Sequence, residues 1–184
     1  MKTSIALIGF MGTGKTVVGR VLAEKLGKKF VELDNLIVRK AGKIIPEIFQ
    51  QDGEMAFREL EIGAAREISG KKNVVIAGGG GVVLNKINID RLRKECLMVY
   101  LTASPEVILK RTSTGRNDRP LLATADQEST IRELLEFRRP FYRRGRRYNH
   151  RHVGTGYQGR GRANYRNNER NGECLETGHI YVEL

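Results

Sequence analysis

The feature that most constrains this chain is an octapeptide near its N-terminus, Gly9-Phe10-Met11-Gly12-Thr13-Gly14-Lys15-Thr16. A short apolar run, Ser4–Gly9, leads into it, and a stretch from Lys15 to Leu26 follows with apolar residues at Val18, Val21, Leu22 and Leu26. The first segment reads as a buried strand and the second as a helix. Gly-x-x-x-x-Gly-Lys-Thr between a strand and a helix is the pattern of a phosphate-binding loop. Its glycines let backbone N–H groups converge on phosphate oxygens at the positive end of a helix dipole. Gly12, Thr13 and Gly14 would form the cradle. Lys15 would reach the β- and γ-phosphates, and Thr16 would place its hydroxyl on Mg²⁺. A tight strand–helix turn with a chance lysine is the bland alternative, and the flanking strand and helix speak against it.

The rest of residues 1–142 alternates between strands and helices. Strands are expected at Phe30–Leu33, Asn73–Ala77 and Leu97–Leu101. Helices are expected at Leu36–Ala41, Ile45–Gln51, Glu54–Ile68, Ile87–Lys94, Ser104–Arg111 and Glu128–Phe137, with Ser104 as N-cap and Pro105 in the first turn. Thr112–Gln127 is polar and aperiodic and reads as a mobile loop. This order implies an α/β fold, a three-layer α/β/α sandwich around a parallel sheet. No run of eighteen apolar residues exists, so no transmembrane helix is expected and no membrane partner. Cys96 and Cys174 make neither a disulfide framework nor a metal-binding spacing, which suits a reducing, cytoplasmic compartment.

The phosphate loop does not name the acceptor. The chain is short for a GTPase or a motor ATPase and has no Asn-Lys-x-Asp guanine signature. Other motifs are more specific. Glu32-Leu33-Asp34 follows the second strand, and Gly53-Glu54 precedes Phe57-Arg58-Glu59-Leu60-Glu61. Gly79-Gly80-Gly81 follows the third strand, Arg119-Pro120-Leu121-Leu122 lies in the polar loop, and Arg138-Arg139-Pro140-Phe141-Tyr142 closes the series. In this set residues 1–142 resemble the shikimate kinases, P-loop enzymes with a nucleoside monophosphate kinase-like fold. The resemblance implies ATP-dependent phosphorylation of the shikimate 3-hydroxyl, on the route to chorismate and the aromatic amino acids.

The resemblance also assigns roles. Arg58 and Arg138 match the arginines that bind the shikimate carboxylate, a task suited to a bidentate guanidinium. Gly79, Gly80 and Gly81 would let backbone approach the ring closely. Asp34 would bind the acceptor hydroxyls and align the attacking one, with an N-cap for residues 35–41 as its structural alternative. Glu32 stands where the family usually has an Asp that helps hold Mg²⁺ through water. Arg119 matches the lid arginine that closes over the γ-phosphate, in a lid of about residues 112–126. Arg111 matches the arginine that packs on adenine, and its distance from Arg119 is one residue longer than in the family. A kinase of another small polyol, such as gluconate, is the second reading.

The net charge of +12 would by itself suggest a polyanion partner. It divides unevenly. Residues 1–142 hold 12 Lys, 12 Arg and 17 acids, whereas residues 143–184 hold 9 Arg, 4 Glu and no Lys. The second segment also has 7 Gly and 5 Asn and lacks Asp, Ser, Phe, Met and Pro. It shows no helix or strand period before Ile180–Val182, and the Asp-Thr-Ser strand and final helix of the family are not legible in it. Shifting the frame by one base across Tyr148–Gln158 allows Ile-Thr-Ile-Asp-Thr-Ser-Gly-Leu-Asp-Ile, which contains the missing motif. A frameshift near Tyr142–Gly145 is therefore expected, with loss of one wall of the adenine site. An Arg/Gly tail that binds RNA is the reading of a different class, and nucleic acid is not the expected partner. A monomer is assumed.

Overall fold

The computed structural model describes residues 2–113, 120–122, 124–145, 174–177 and 180–183, the last two groups as strand backbone only. The expected segment 143–184 lies otherwise outside the described residues. Four strands run parallel in the centre: β1 (Ser4–Ile8), β2 (Lys29–Glu32), β3 (Val74–Ala77) and β4 (Cys96–Thr102). Two further strands, β5 (Cys174–Thr177) and β6 (Ile180–Glu183), extend the sheet, whose order is β2-β3-β1-β4-β6-β5. Ile5 pairs with Val75 on one side of β1 and with Leu97 on the other. β6 runs antiparallel to β4, with Leu101 opposite Val182, and β5 antiparallel to β6. The outer pair thus departs from the expected all-parallel sheet. Antiparallel neighbours need only a short turn between them, whereas a parallel fifth strand needs a crossover.

The strands are apolar on both faces because helices cover both. Ala6 and Ile8 of β1, Val74 and Ile76 of β3, and Cys96, Met98 and Tyr100 of β4 face one core. That core is closed by α2 (Leu33–Ala41), α3 (Ile45–Gln51), α4 (Gly53–Ser69), α5 (Lys86–Glu95) and α7 (Gln127–Gly145). The alternate residues Leu7, Val75, Val99 and Leu101 face a smaller core under α1 (Lys15–Lys25). Here α1 differs from its sequence reading: Val21 and Leu26 are exposed, and Gly19 and Ala23 face the sheet with Val18 and Leu22. Small residues win because the approach is close. A Cβ at position 19 would lie 2.5 Å from Phe30 Cε2.

The helix boundaries follow local chemistry. Asn85 caps α5 by accepting the Ile87 N–H at 3.0 Å, and Asp126 caps α7 by accepting the Ser129 N–H at 2.9 Å. Ser104 accepts the Val107 N–H at 3.4 Å at the head of α6 (Pro105–Ser113). Gly42, in the left-handed region at φ 66°, ends α2 and separates it from α3. α7 runs eight residues past its expected end and continues through Pro140. Proline removes one backbone donor there, and the burial of Arg138 and Tyr142 on either side holds the helix in place. No helix among the described residues is long and apolar enough to cross a membrane.

The loop after β1 is the tightest point of the fold. Gly9 sits at φ 151°, and a Cβ there would meet the Leu101 carbonyl oxygen at 2.2 Å. Both partners are backbone, so neither can move cheaply. Gly9→Ala is expected to cost about 1–3 kcal/mol, as overpacking does, and to lower the chemical denaturation midpoint without changing its slope.

Candidate functional site

The parallel ladder sets the site. Leu7 pairs with Ala77, and the Gly78 N–H donates to the Leu7 carbonyl at 2.9 Å. The loops that leave β1 and β3 are therefore neighbours at the carboxyl edge of the sheet, where α/β proteins bind ligands. Gly80 packs so closely on Met11 that a Cβ at position 80 would come within 3.3 Å of the Met11 backbone nitrogen. Between the loops lies an open cleft of about 280 Å³, lined among others by Gly12, Lys15, Thr16, Glu32, Asp34, Arg58, Gly79, Gly80, Gly81 and Arg138.

On one side the phosphate loop is formed as its sequence requires. Gly12 and Gly14 take φ of 76° and 91°, a region open to glycine. Thr13 is buried and its hydroxyl donates to the Phe10 carbonyl at 2.7 Å. Lys15 lies across the loop and donates from Nζ to the carbonyls of Gly9 and Phe10 at 3.0 and 2.9 Å. Arg111 on α6 donates to the Gly12 carbonyl at 3.1 Å, which ties α6 to the loop. The Thr16 hydroxyl donates to Glu32 Oε1 at 2.5 Å. Two hard oxygen donors thus meet beside the cradle, the type of set that suits Mg²⁺.

The other side is built from α2, α4 and α7. Asp34 lies in the first turn of α2, which begins at Leu33. It is therefore not the N-cap considered from the sequence; that position falls on Glu32, whose side chain makes no capping bond. Arg58 is clamped on α4 between residues one turn away: Glu54 accepts from its Nη2 at 2.8 Å and Glu61 from its Nη1 at 3.1 Å. Its guanidinium also lies over the Phe57 ring, 5.2 Å from the centroid. The glycine triplet makes room for these side chains. A Cβ at Gly79 would lie 2.8 Å from Asp34 Oδ1, and one at Gly81 would lie 2.2 Å from Arg58 Nη1. Of the adjacent arginines, Arg138 is buried against the Phe10 ring with its Nη1 3.5 Å from the Gly80 carbonyl, whereas Arg139 is exposed.

Sequence reasoning missed Glu61. It is 1% exposed, its Oε2 holds Arg58, and its Oε1 has no hydrogen-bond partner. The three-residue spacing from Arg58 on a helix was the available signal. It also missed the apolar wall of Ile45, Phe49 and Phe57, whose two rings pack 4.8 Å apart. Arg119, with residues 114–118 and 123 of the expected lid, falls outside the described residues, and Pro120 and Leu121 line the cleft.

Charge in the cleft is finely balanced. Burial raises the Asp34 carboxyl above its ordinary value; Lys15 opposes this, Glu32 adds to it and Arg58 opposes it. Burial likewise raises Glu61, against the pull of Arg58. Burial disfavours the Arg58 cation, yet Glu61 and Glu54 more than offset it and leave its pKa raised. A carboxyl raised in the folded state binds its proton more tightly there than in the unfolded chain. Its contribution to stability is therefore greatest below the ordinary value of 4.5 and declines as pH rises through the folded value. Removing that ionisation with Glu61→Gln is expected to flatten the fall in stability above pH 4.5. Thermal midpoints of both proteins from acid to neutral pH check this, and parallel curves would contradict it.

Comparison with known proteins comes to the same place. A family model described as shikimate kinase matches residues 11–163. A shikimate kinase from Caldanaerobacter subterraneus subsp. tengcongensis is 53% identical over 140 residues, covering 76% of this chain and 81% of that protein. One from Thermodesulfovibrio yellowstonii is 48% identical over 139 residues, covering 76% and 80%. Among solved structures, shikimate kinase from Acinetobacter baumannii in complex with shikimate superposes with a TM-score of 0.77 at 39% identity, covering 85% of this chain and 86% of that one.

Proposed function

The chain belongs to the shikimate kinase family, and from that premise we propose how its own residues divide the work. The enzyme phosphorylates shikimate with ATP and Mg²⁺, a step of aromatic amino acid biosynthesis. The observation that carries the assignment of roles is the convergence of Arg58, Arg138 and Asp34 on the glycine turn, directly beside the phosphate loop.

Arg58 and Arg138 bind the shikimate carboxylate. Both are held before any ligand arrives, Arg58 by its two glutamates and Arg138 by Phe10 and the Gly80 carbonyl. Such preorganisation lowers the entropy lost on binding. Asp34 binds the acceptor hydroxyls and aligns the attacking one, and its raised pKa suits a group that also takes up the proton. The Phe49 and Phe57 wall excludes water from the ring face. Gly12, Thr13, Gly14 and Lys15 hold the triphosphate. For this Lys15 leaves its loop carbonyls, which accept from it only while no phosphate competes. Thr16 and Glu32 would hold Mg²⁺, which supplies charge neutralisation between the β- and γ-phosphates. Arg111 reaches the loop from α6, on the nucleotide side. Arg119 closes from the lid of about residues 112–126. The acceptor is the shikimate 3-hydroxyl, and the enzyme works as a cytoplasmic monomer with no membrane or nucleic-acid partner.

Residues 1–142 form the kinase domain and residues 143–184 are the product of a shifted reading frame, which removes one wall of the adenine site. The abrupt loss of Lys and gain of Arg after Tyr142 supports this. Coding DNA with no single-base insertion or deletion near that codon, against related genes, would overturn it.

Assays with shikimate and with gluconate test the assignment. Arg58→Ala is expected to raise the shikimate KM roughly tenfold or more, as loss of a charge-assisted bond of about 1.5–3 kcal/mol implies, with the ATP KM nearly unchanged. Lys15→Met, the control, should lower kcat by about a hundredfold or more. Phosphorylation of gluconate and not shikimate would reject the reading.

A further inference from the structure

Tyr142 has no part in the division of work above, yet among the described residues it is the largest side chain with no exposure at all. Its ring stacks on Tyr100 of β4, with centroids 5.2 Å apart and planes 13° from parallel. A phenol buried so deeply needs a partner for its hydroxyl. Its Oη donates to the Gly80 carbonyl, and Arg138 hydrogen-bonds the phenol oxygen as well. Arg138, four residues earlier and so on the same face of α7, brings Nη1 to 3.5 Å from the same carbonyl oxygen. Burial pushes the Tyr142 hydroxyl well above its ordinary pKa, so it stays protonated and remains a donor.

The carbonyl it holds is unusual in needing to be held. Gly80 and Gly81 have no side chains to restrict them, and neither N–H donates to a backbone carbonyl among the described residues. The intervening peptide is trans and planar, so fixing the Gly80 carbonyl fixes the Gly81 N–H on the opposite side of the same plane. Both glycines line the cleft, with Arg58 against Gly81 and Arg138 against Gly80.

We propose that Tyr142 is a positioning residue for the acceptor: its hydroxyl holds the Gly80–Gly81 peptide in the orientation that presents the Gly81 N–H to shikimate and keeps Arg138 in register with Arg58. The device acts chiefly on the acceptor half: Gly80 and Arg138 touch Met11 and Phe10, but the phosphate cradle takes its shape from Gly12, Gly14 and Thr13. It rests on the assignment of this cleft to shikimate.

Tyr142→Phe keeps the ring and its stack on Tyr100 and removes only the hydroxyl. Titration calorimetry with shikimate is expected to show affinity about tenfold weaker, with ATP affinity and kcat at saturating shikimate within about twofold of the unmodified protein. Leu135→Ala, a core change two turns earlier on α7, controls for general loosening of the helix. It should lower the thermal midpoint at least as much without a selective loss of shikimate affinity. Unchanged shikimate binding by Tyr142→Phe overturns the proposal, as does equal weakening for shikimate and ATP, or a selective loss of the same size in Leu135→Ala. Failure of the unmodified chain to bind shikimate would overturn the assignment of the cleft and this inference with it.

Discussion

Everything in the cleft depends on the parallel pairing of β1 with β3. Because Leu7 lies beside Ala77, the two chains leave the sheet side by side, and both must turn at once. Each turns on glycine. The two turns are close enough that a single Cβ at Gly80 would press on Met11, and both line the same cleft. Phosphoryl transfer asks chiefly that donor and acceptor be held in line and that charge be neutralised. Two glycine turns on adjacent parallel strands bring the two halves of the cleft within reach of each other.

The second demand is met by cations held in place by anions. Arg58 is flanked by Glu54 and Glu61, and Lys15 lies within the field of Asp34. Burial raises the carboxyls of both Asp34 and Glu61, and Arg58 opposes the rise at each.

Much of this was legible beforehand. Local pattern placed the glycine turn from Gly9 to Thr16, the capping Ser104 and the break at Gly42 where the structure has them. Arg138 could be chosen over Arg139 by position, and burial agrees. What escaped depends on partners distant in sequence. Glu61 closes the Phe-Arg-x-x-Glu pattern around Arg58 but gives no sign of its burial until Gly79 approaches it, and Tyr142 reads as one more aromatic until it reaches Gly80, 62 residues away. The buried face of α1 was misplaced because hydrophobic period favours Val21, while contact with Phe30 favours Gly19. The N-cap reading of Asp34 failed for a related reason: where β2 ends and α2 begins is decided by the pairing of Glu32 with Ala77, not by propensity.

The amino-acid sequence by itself determined the chemistry: a triphosphate loop, a strand–helix alternation that permits a parallel sheet, and two arginines of the kind a carboxylate requires. These are properties of short segments, where residue type and spacing act through the local backbone. The tertiary structure alone decided which groups face one another. It buried Glu61 beside Gly79, closed Tyr142 onto a glycine carbonyl, and joined an antiparallel hairpin to the β4 edge. Burial and desolvation arise only when distant segments meet, so the energies that tune this site have no signature in any one of them.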